Sequence, residues 1–475
     1  MKNYYITLLI LVTFGCSRVF ALEIKIDHSE SASYLHFLAA GFQQPFSSRS
    51  LQDVIKNKNV KSFSKNKNKD DYNLLKSYLQ NGYNFDSPNS RPSGVYGEDA
   101  LNLLSVTNPS LTELEKNLSA FLPYDGINAY YRLKKVFYPE FEKILWDSST
   151  KNHEQEMLKI KTAMENSRFV ENLEKAKKFY ASEYPENLAL KVALIPINIG
   201  NGSIRHTSAT NLKDAQIVPY ISQLGAVSNL GVIFHEFCHA FYEAQSYKKQ
   251  KEIEDYYLGH KSFHALFTYR YFNEFIATVL GNGWYQEKLD ASKISKSWYD
   301  VEYIDKMAKA LLPEVTKYVE LGKSMDQSFL EKTINVAEQL FPDAPFQVES
   351  NMIAIKILSN LNISTSAISE SLRKKFRIQS INKSAPIQSE DWNELTKVGV
   401  ATPLTITNSK EELSPEIKSL LNEKTIKDVN MIAVIPVKNR FIVWMNLRDK
   451  AKLDGAIEIL RDKKIFDKTL WVKEF

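Results

Sequence analysis

Apolar residues recur at near-helical spacing through the first part of the chain. They fall at Leu101, Leu103, Leu104, Leu111, Leu114 and Leu118, and again at Phe169, Val170, Leu173, Ala176 and Phe179. Pro88, Pro92 and Pro109 mark breaks between segments, so residues 22–185 are expected to form a mainly helical N-terminal region. The Lys/Asn-rich stretch 56–71 reads as a solvated loop.

From about residue 186 the period changes. Residues 190–199 read as a strand, Gly200-Asn201-Gly202 as a turn, and residues 216–222 as a second strand. Pro219 lacks an amide hydrogen, which predicts a sheet edge or a bulge for that second strand. A helix is expected from about Asn229 to Tyr247, with more helices to about residue 376. Past residue 395 the pattern turns to strands again, at 430–437 and 440–445, followed by a short amphipathic helix from Asp454 to Arg461. The expected class is α+β and mainly helical. Its parts are the N-terminal region, a core domain at 186–376, and a small α/β C-terminal domain at 395–475.

The first 21 residues carry the pattern of an export signal: Lys2, the apolar run from Ile6 to Phe14, and Val19-Phe20-Ala21 as a cleavage site. An exported protein, periplasmic or secreted, is therefore expected. Gly15-Cys16 offers the alternative of a lipoprotein anchored at Cys16. No later stretch approaches ~20 uninterrupted apolar residues, so the mature chain is expected to lack a transmembrane helix. Removing 1–21 would leave Cys238 alone, and one thiol cannot make an internal disulfide.

Composition narrows the field without naming a function. Hydrophobic residues at 44% and charged residues at 25% exclude wholesale disorder. A net charge of +5, from 61 basic and 56 acidic residues, gives no reason to expect a nucleic-acid partner.

The candidate chemistry lies in His235-Glu236-Phe237-Cys238-His239. Two histidines four apart on a helix share one face, one turn apart, and can bind a single zinc ion. Glu236 follows the first of them, where a carboxylate can take a proton from water at the metal. A random chain of this composition contains H-E-x-x-H about once in a hundred times. A catalytic zinc site needs a third protein ligand. An extended motif would require Gly at 242 and His at 245, but Tyr242 and Gln245 stand there. Glu274 is the better candidate, on a helical run where Glu274, Ala277 and Gly281 share a face and the small residues permit close approach to the first helix. His260 and His264 are the rival ligands. Cys238, about 100° from His239 around the helix, reads as a small buried residue. His206 reads as a surface residue in the loop before the second strand.

These residues resemble the gluzincin metallopeptidases, in which a two-His helix is followed by a second helix donating a Glu. The resemblance covers about residues 190–290 and looks most like exported bacterial members of the clan. It implies a zincin-like core, with a small sheet and its edge strand beside the two metal-bearing helices. It further implies Zn2+ held by His235, His239 and Glu274, and hydrolysis of peptide or protein substrates with Glu236 as general base. An oxyanion-stabilising Tyr or His is also implied. Tyr303 is the choice here, with Tyr299, His260 and His264 as alternatives. Ala277-Thr278 stand where the thermolysin pattern has Ser-Asp, which leaves the carboxylate that orients a ligand histidine unassigned. The alternative function is a non-catalytic gluzincin-like protein that binds peptides or envelope components.

Overall fold

The computed structural model describes residues 22–475 apart from 45–46, 80–81, 86–92, 121, 148–152, 199–208, 213, 291–296, 362, 379, 389–390, 393–398, 422–426 and 428. The expected export signal, Cys16, the Gly200–Gly202 turn and His206 lie outside the described residues. The fold is mixed α and β, mainly helical, with small sheets. Its strands are β1 (Ile24–His28), β2 (Gly82–Phe85), β3 (Ser93–Tyr96), β4 (Leu190–Ile197), β5 (Thr210–Leu212), β6 (Ala215–Ile221), β7 (Ala354–Ser359), β8 (Ser380–Ser384), β9 (Thr402–Thr407), β10 (Met431–Val437), β11 (Arg440–Asn446) and β12 (Trp471–Glu474). Among the described residues no helix is long and apolar enough to cross a membrane.

The chain forms two compact units. The first takes residues up to Phe85, Ser93–Ser246 and Glu274–Met325. Its four-stranded sheet has the order β1-β4-β6-β5, with β1, β4 and β6 parallel and β5 antiparallel to β6. Alternation along β4 and β6 sends Ala193, Ile195, Ile197, Ile217 and Ile221 into one apolar core. There they meet Phe37, Leu114, Tyr130 and Phe141 from the N-terminal helices. The stretch expected to be mainly helical also supplies the sheet's first strand and the β2-β3 hairpin.

Two further expectations are corrected. The strand 216–222 is not at the edge, since β6 lies between β4 and β5. Its proline is tolerated because β5 pairs only Ala215 to Ile217, so at Pro219 the ladder with β5 has already ended. The Lys/Asn-rich stretch is not a loop: it contributes to helix Arg49–Asn57, the 3-10 turn Lys61–Ser64 and helix Asn66–Leu79. Tertiary anchors override its composition. Phe63 is buried between other rings, and Asn68 donates to the Ser62 carbonyl at 2.7 Å.

The second unit holds Tyr247–Asn273 and Asp326–Phe475. Its six-stranded sheet runs β12-β10-β11-β9-β7-β8. The predicted hairpin is present, with β10 and β11 antiparallel and the turn at Lys438-Asn439, and the predicted amphipathic helix is Leu453–Lys463. β7 and β8 join this sheet from upstream of residue 395. Ile357, Ile406, Val434 and Val443 face one apolar layer, while Ala433, Ile435, Ile442 and Trp444 face another.

Four helices matter below: α1 (Phe169–Tyr180), α2 (Gly225–Glu243), α3 (Phe263–Thr278) and α4 (Glu302–Glu320). α2 carries the two histidines and is tied to the sheet by buried polar side chains. Asn229 donates to the carbonyls of Ile221 and Gly225, at 3.1 and 2.8 Å, and accepts from the Ile221 amide at 3.3 Å. Gln216 on β6 reaches the Ile233 carbonyl at 3.5 Å. Asn229→Ala is expected to cost about 2–3 kcal/mol, because it leaves both backbone groups of Ile221 buried and unpaired. Urea denaturation checks this; an unchanged midpoint would show that the helix is held by packing alone.

Candidate metal centre

His235 and His239 project from one face of α2, and Glu274 from the last turn of α3. The two imidazole Nε2 atoms are 3.1 Å apart, and Glu274 Oε2 is 3.9 Å from that of His235 and 3.7 Å from that of His239. From these separations, a point equidistant from the three atoms lies about 2.1 Å from each, within the range zinc keeps to nitrogen and carboxylate donors. This buried His235-His239-Glu274 group could hold a metal ion.

Close helix contact makes the convergence possible. After Thr278, α3 continues as a wider π-helical segment, Val279–Tyr285. In it Gly281 lies directly on His235, the first of the candidate ligands. A Cβ at Gly281 would fall 2.8 Å from the nitrogen, Cα and Cβ of His235. Gly231, one turn earlier on α2, is equally confined: a Cβ there would come 2.6 Å from Gln286 Oε1. The close approach predicted from small residues is realised through Gly281.

His235 is also oriented from behind. Its Nδ1 lies 3.2 Å from Asn282 Oδ1, and Asn282 Nδ2 donates to the Trp298 carbonyl at 3.2 Å. An amide oxygen can only accept, so Nδ1 carries the proton and Nε2 presents its lone pair to the centre. Asn282 thus fills the orienting role that the sequence left unassigned, with an amide in place of a carboxylate. Burial, and then the neighbouring His239, hold the His235 imidazole down at about 4, against smaller opposing effects from Glu274, Asn282 and the Ala277 carbonyl. His235 is neutral at physiological pH, the form that binds metal.

Glu236 stands beside the ligands, and its backbone carbonyl accepts from Asn211 of β5 at 3.4 Å. Burial pushes its carboxyl up to about 7, with Glu274 adding to the rise and His239 opposing it. Tyr299 reaches the candidate ligands. Its hydroxyl donates to Glu274 Oε2 at 3.2 Å, and its ring lies nearly parallel to that of His235 at 6.3 Å. Tyr303, the preferred candidate from the sequence, is half-buried in the first turn of α4.

The rival histidines are engaged within the second unit. His264 Nε2 meets the Phe341 carbonyl at 3.0 Å, and His260 Nε2 lies 3.4 Å from Glu331. Cys238 is fully buried beside Tyr180, and burial raises its thiol far above the usual range, as befits an inert packing residue. Compared with known proteins, the chain matches no protein family, and no curated protein or solved structure is similar to it.

Gly281→Ala must push the two helices apart and is expected to weaken divalent-metal binding about tenfold or more; chelator competition reads this, and undiminished affinity would show that the contact is slack. A second expectation concerns Glu236. Its folded-state value of about 7 lies above the ordinary 4.5, so its charge costs nothing in acid and lowers stability as the pH rises through 7. In the metal-free protein, Glu236→Gln should raise the thermal midpoint by a few degrees at pH 8 and leave it unchanged at pH 4. Equal shifts at both would remove the carboxyl as the cause.

Proposed function

We propose that this protein is an exported zinc metallopeptidase of gluzincin type. The observation that carries the reading is the meeting of His235, His239 and Glu274 around one point, with Glu236 directly after the first of them. Export rests on the sequence pattern of residues 1–21.

The donor set, two imidazole nitrogens and one carboxylate, matches the His2Glu arrangement of catalytic zinc sites. A zinc ion bound there supplies Lewis-acid polarisation of a scissile carbonyl and of the attacking water. The chain's own residues do the rest. Glu236 takes the proton from the water and delivers it to the leaving amine, a task suited to a carboxyl whose pKa burial has brought near neutrality. Asn282 keeps the His235 tautomer fixed, and Tyr299 holds Glu274 by its inner oxygen. β5, the antiparallel end strand of the sheet, runs beside Glu236 and offers an extended peptide a backbone to pair with.

Glu236→Gln is expected to keep zinc and lose about 10²–10⁴-fold in peptide hydrolysis. Zinc content and cleavage of a mixed peptide pool measure the two halves. If wild-type protein loaded with zinc cleaves no peptide in such a pool, the enzyme reading fails and a peptide-binding role replaces it. Glu274→Ala should lose zinc at concentrations that saturate the wild type. Unchanged affinity would remove Glu274 from the ligand set.

A further inference from the structure

One dipeptide bonds one of the three candidate ligands directly and reaches a second through Asn282. The Trp298 carbonyl accepts from the Asn282 amide, which in turn fixes His235. The hydroxyl of the next residue, Tyr299, donates to Glu274. Neither residue belongs to the helices that carry the ligands, since both precede α4. Their two backbone amides share one acceptor, while the Tyr299 carbonyl accepts from the Ser297 hydroxyl at 2.9 Å. Asp305 Oδ1, from the first turn of α4, accepts the amide of Trp298 at 2.6 Å and that of Tyr299 at 3.3 Å. The other carboxylate oxygen of Asp305 accepts from Lys309 at 2.7 Å, and the Lys309 ammonium stands 5.7 Å from the centre of a Trp298 ring. On the α3 side Trp298 packs against Gly283, where a Cβ would come within 2.8 Å of the indole.

We propose that Trp298-Tyr299 is a strap that sets His235 and Glu274 together, and that Asp305 is the positioning residue that fastens it. The physical argument is one of shared constraint. A ligand histidine works through one tautomer and one ring orientation, and both are fixed by what the distal nitrogen meets. Here the ring meets the Asn282 amide and the Ala277 carbonyl, and the amide is itself held by the Trp298 carbonyl, on a backbone whose amides bond a carboxylate that touches no ligand. Releasing Asp305 should therefore free both ligands at once. The effect on metal rests on the zinc-site reading above; the effect on the His235 ring does not.

The test uses full-length protein labelled with [15N]histidine. In metal-free wild type, the His235 ring should give the nitrogen shifts of a single Nδ1–H tautomer, assigned by loss of the signal in His235→Ala. Asp305→Ala should mix the tautomers and weaken binding of zinc ion, followed by chelator competition, about 10–100-fold. Asp305→Asn, whose amide oxygen still accepts both N–H groups, should restore the single tautomer and most of the affinity. In an Asn282→Ala/Tyr299→Phe background, Asp305→Ala should add less than about threefold, because the path to the ligands is already cut. Should Asp305→Ala fail to fold, Asp305→Ser, too short to reach both amides, gives the same readings. A folded Asp305 variant that keeps the wild-type tautomer and zinc affinity, or an effect that is fully additive in the double background, would overturn the strap. If wild type takes up no zinc that His235→Ala abolishes, the metallopeptidase reading falls instead, and the histidine signal alone decides the strap.

Discussion

Holding two imidazoles and a carboxylate within bonding reach of one point, on the inner sides of packed helices, is a placement that folding by itself opposes. Each polar group loses water, and the neighbouring rings disfavour each other's charge. The result is visible in His235, held down at about 4 chiefly by burial. What forces the placement is the contact of Gly281 with the His235 backbone, which leaves no room for a side chain of any size. The remaining features of the centre are arranged around that contact. The π-helical turn widens α3 where it passes α2, and Gly231 clears space for Gln286.

The helix that bears the histidines is positioned from its other end by the sheet. Asn229 reproduces for Ile221 the pair of backbone bonds that a further strand would have made, so the C-terminal end of β6 passes into α2 without an unpaired amide. Rigidity in the sheet is thereby transmitted to His235 and His239 along about two and three turns of helix. β5 does the same from the flank, since Asn211 on it bonds the Glu236 carbonyl.

Local periodicity made much of this legible in the sequence. α1, the histidine-bearing part of α2 and helix Leu453–Lys463 carry helical spacing, the β10-β11 hairpin carries two apolar runs joined by Lys438-Asn439, and each stands where its pattern places it. His235, His239 and Glu274 are legible because metal ligation constrains residue type and spacing together. The membership of the sheets is another matter. β1 pairs with β4 across more than 160 residues, and nothing in the five residues Ile24–His28 names that partner. Pro219 misleads for a similar reason: a missing amide shows that one flank lacks a partner at that residue, and β5 is simply too short to reach it. Asn282 was out of reach because it lies eight residues past Glu274. In an unbroken α-helix it would stand about 80° away around the axis, and only the wider π turn reduces that offset. Tyr299 and Asp305 act from outside the ligand-bearing helices, where no spacing rule applies.

Burial across the centre is uneven, and the unevenness has a direction. His235 and His239 are 7% and 8% exposed, whereas the Glu274 side chain is 23% exposed and Glu236 is also partly open. The nitrogen donors therefore form the floor and the two carboxylates form the rim. A neutral imidazole at His235 needs no counter-charge, which is why an amide suffices behind it. A carboxylate there would put a further negative charge into the buried side of a site that already holds two acids. Glu236 keeps part of its surface open, but it is the burial of its carboxyl that holds its proton affinity near neutrality. In the peptidase reading proposed above, the partly open Glu236 is the group able to move a proton, and the more deeply buried imidazoles are the groups able to hold a cation.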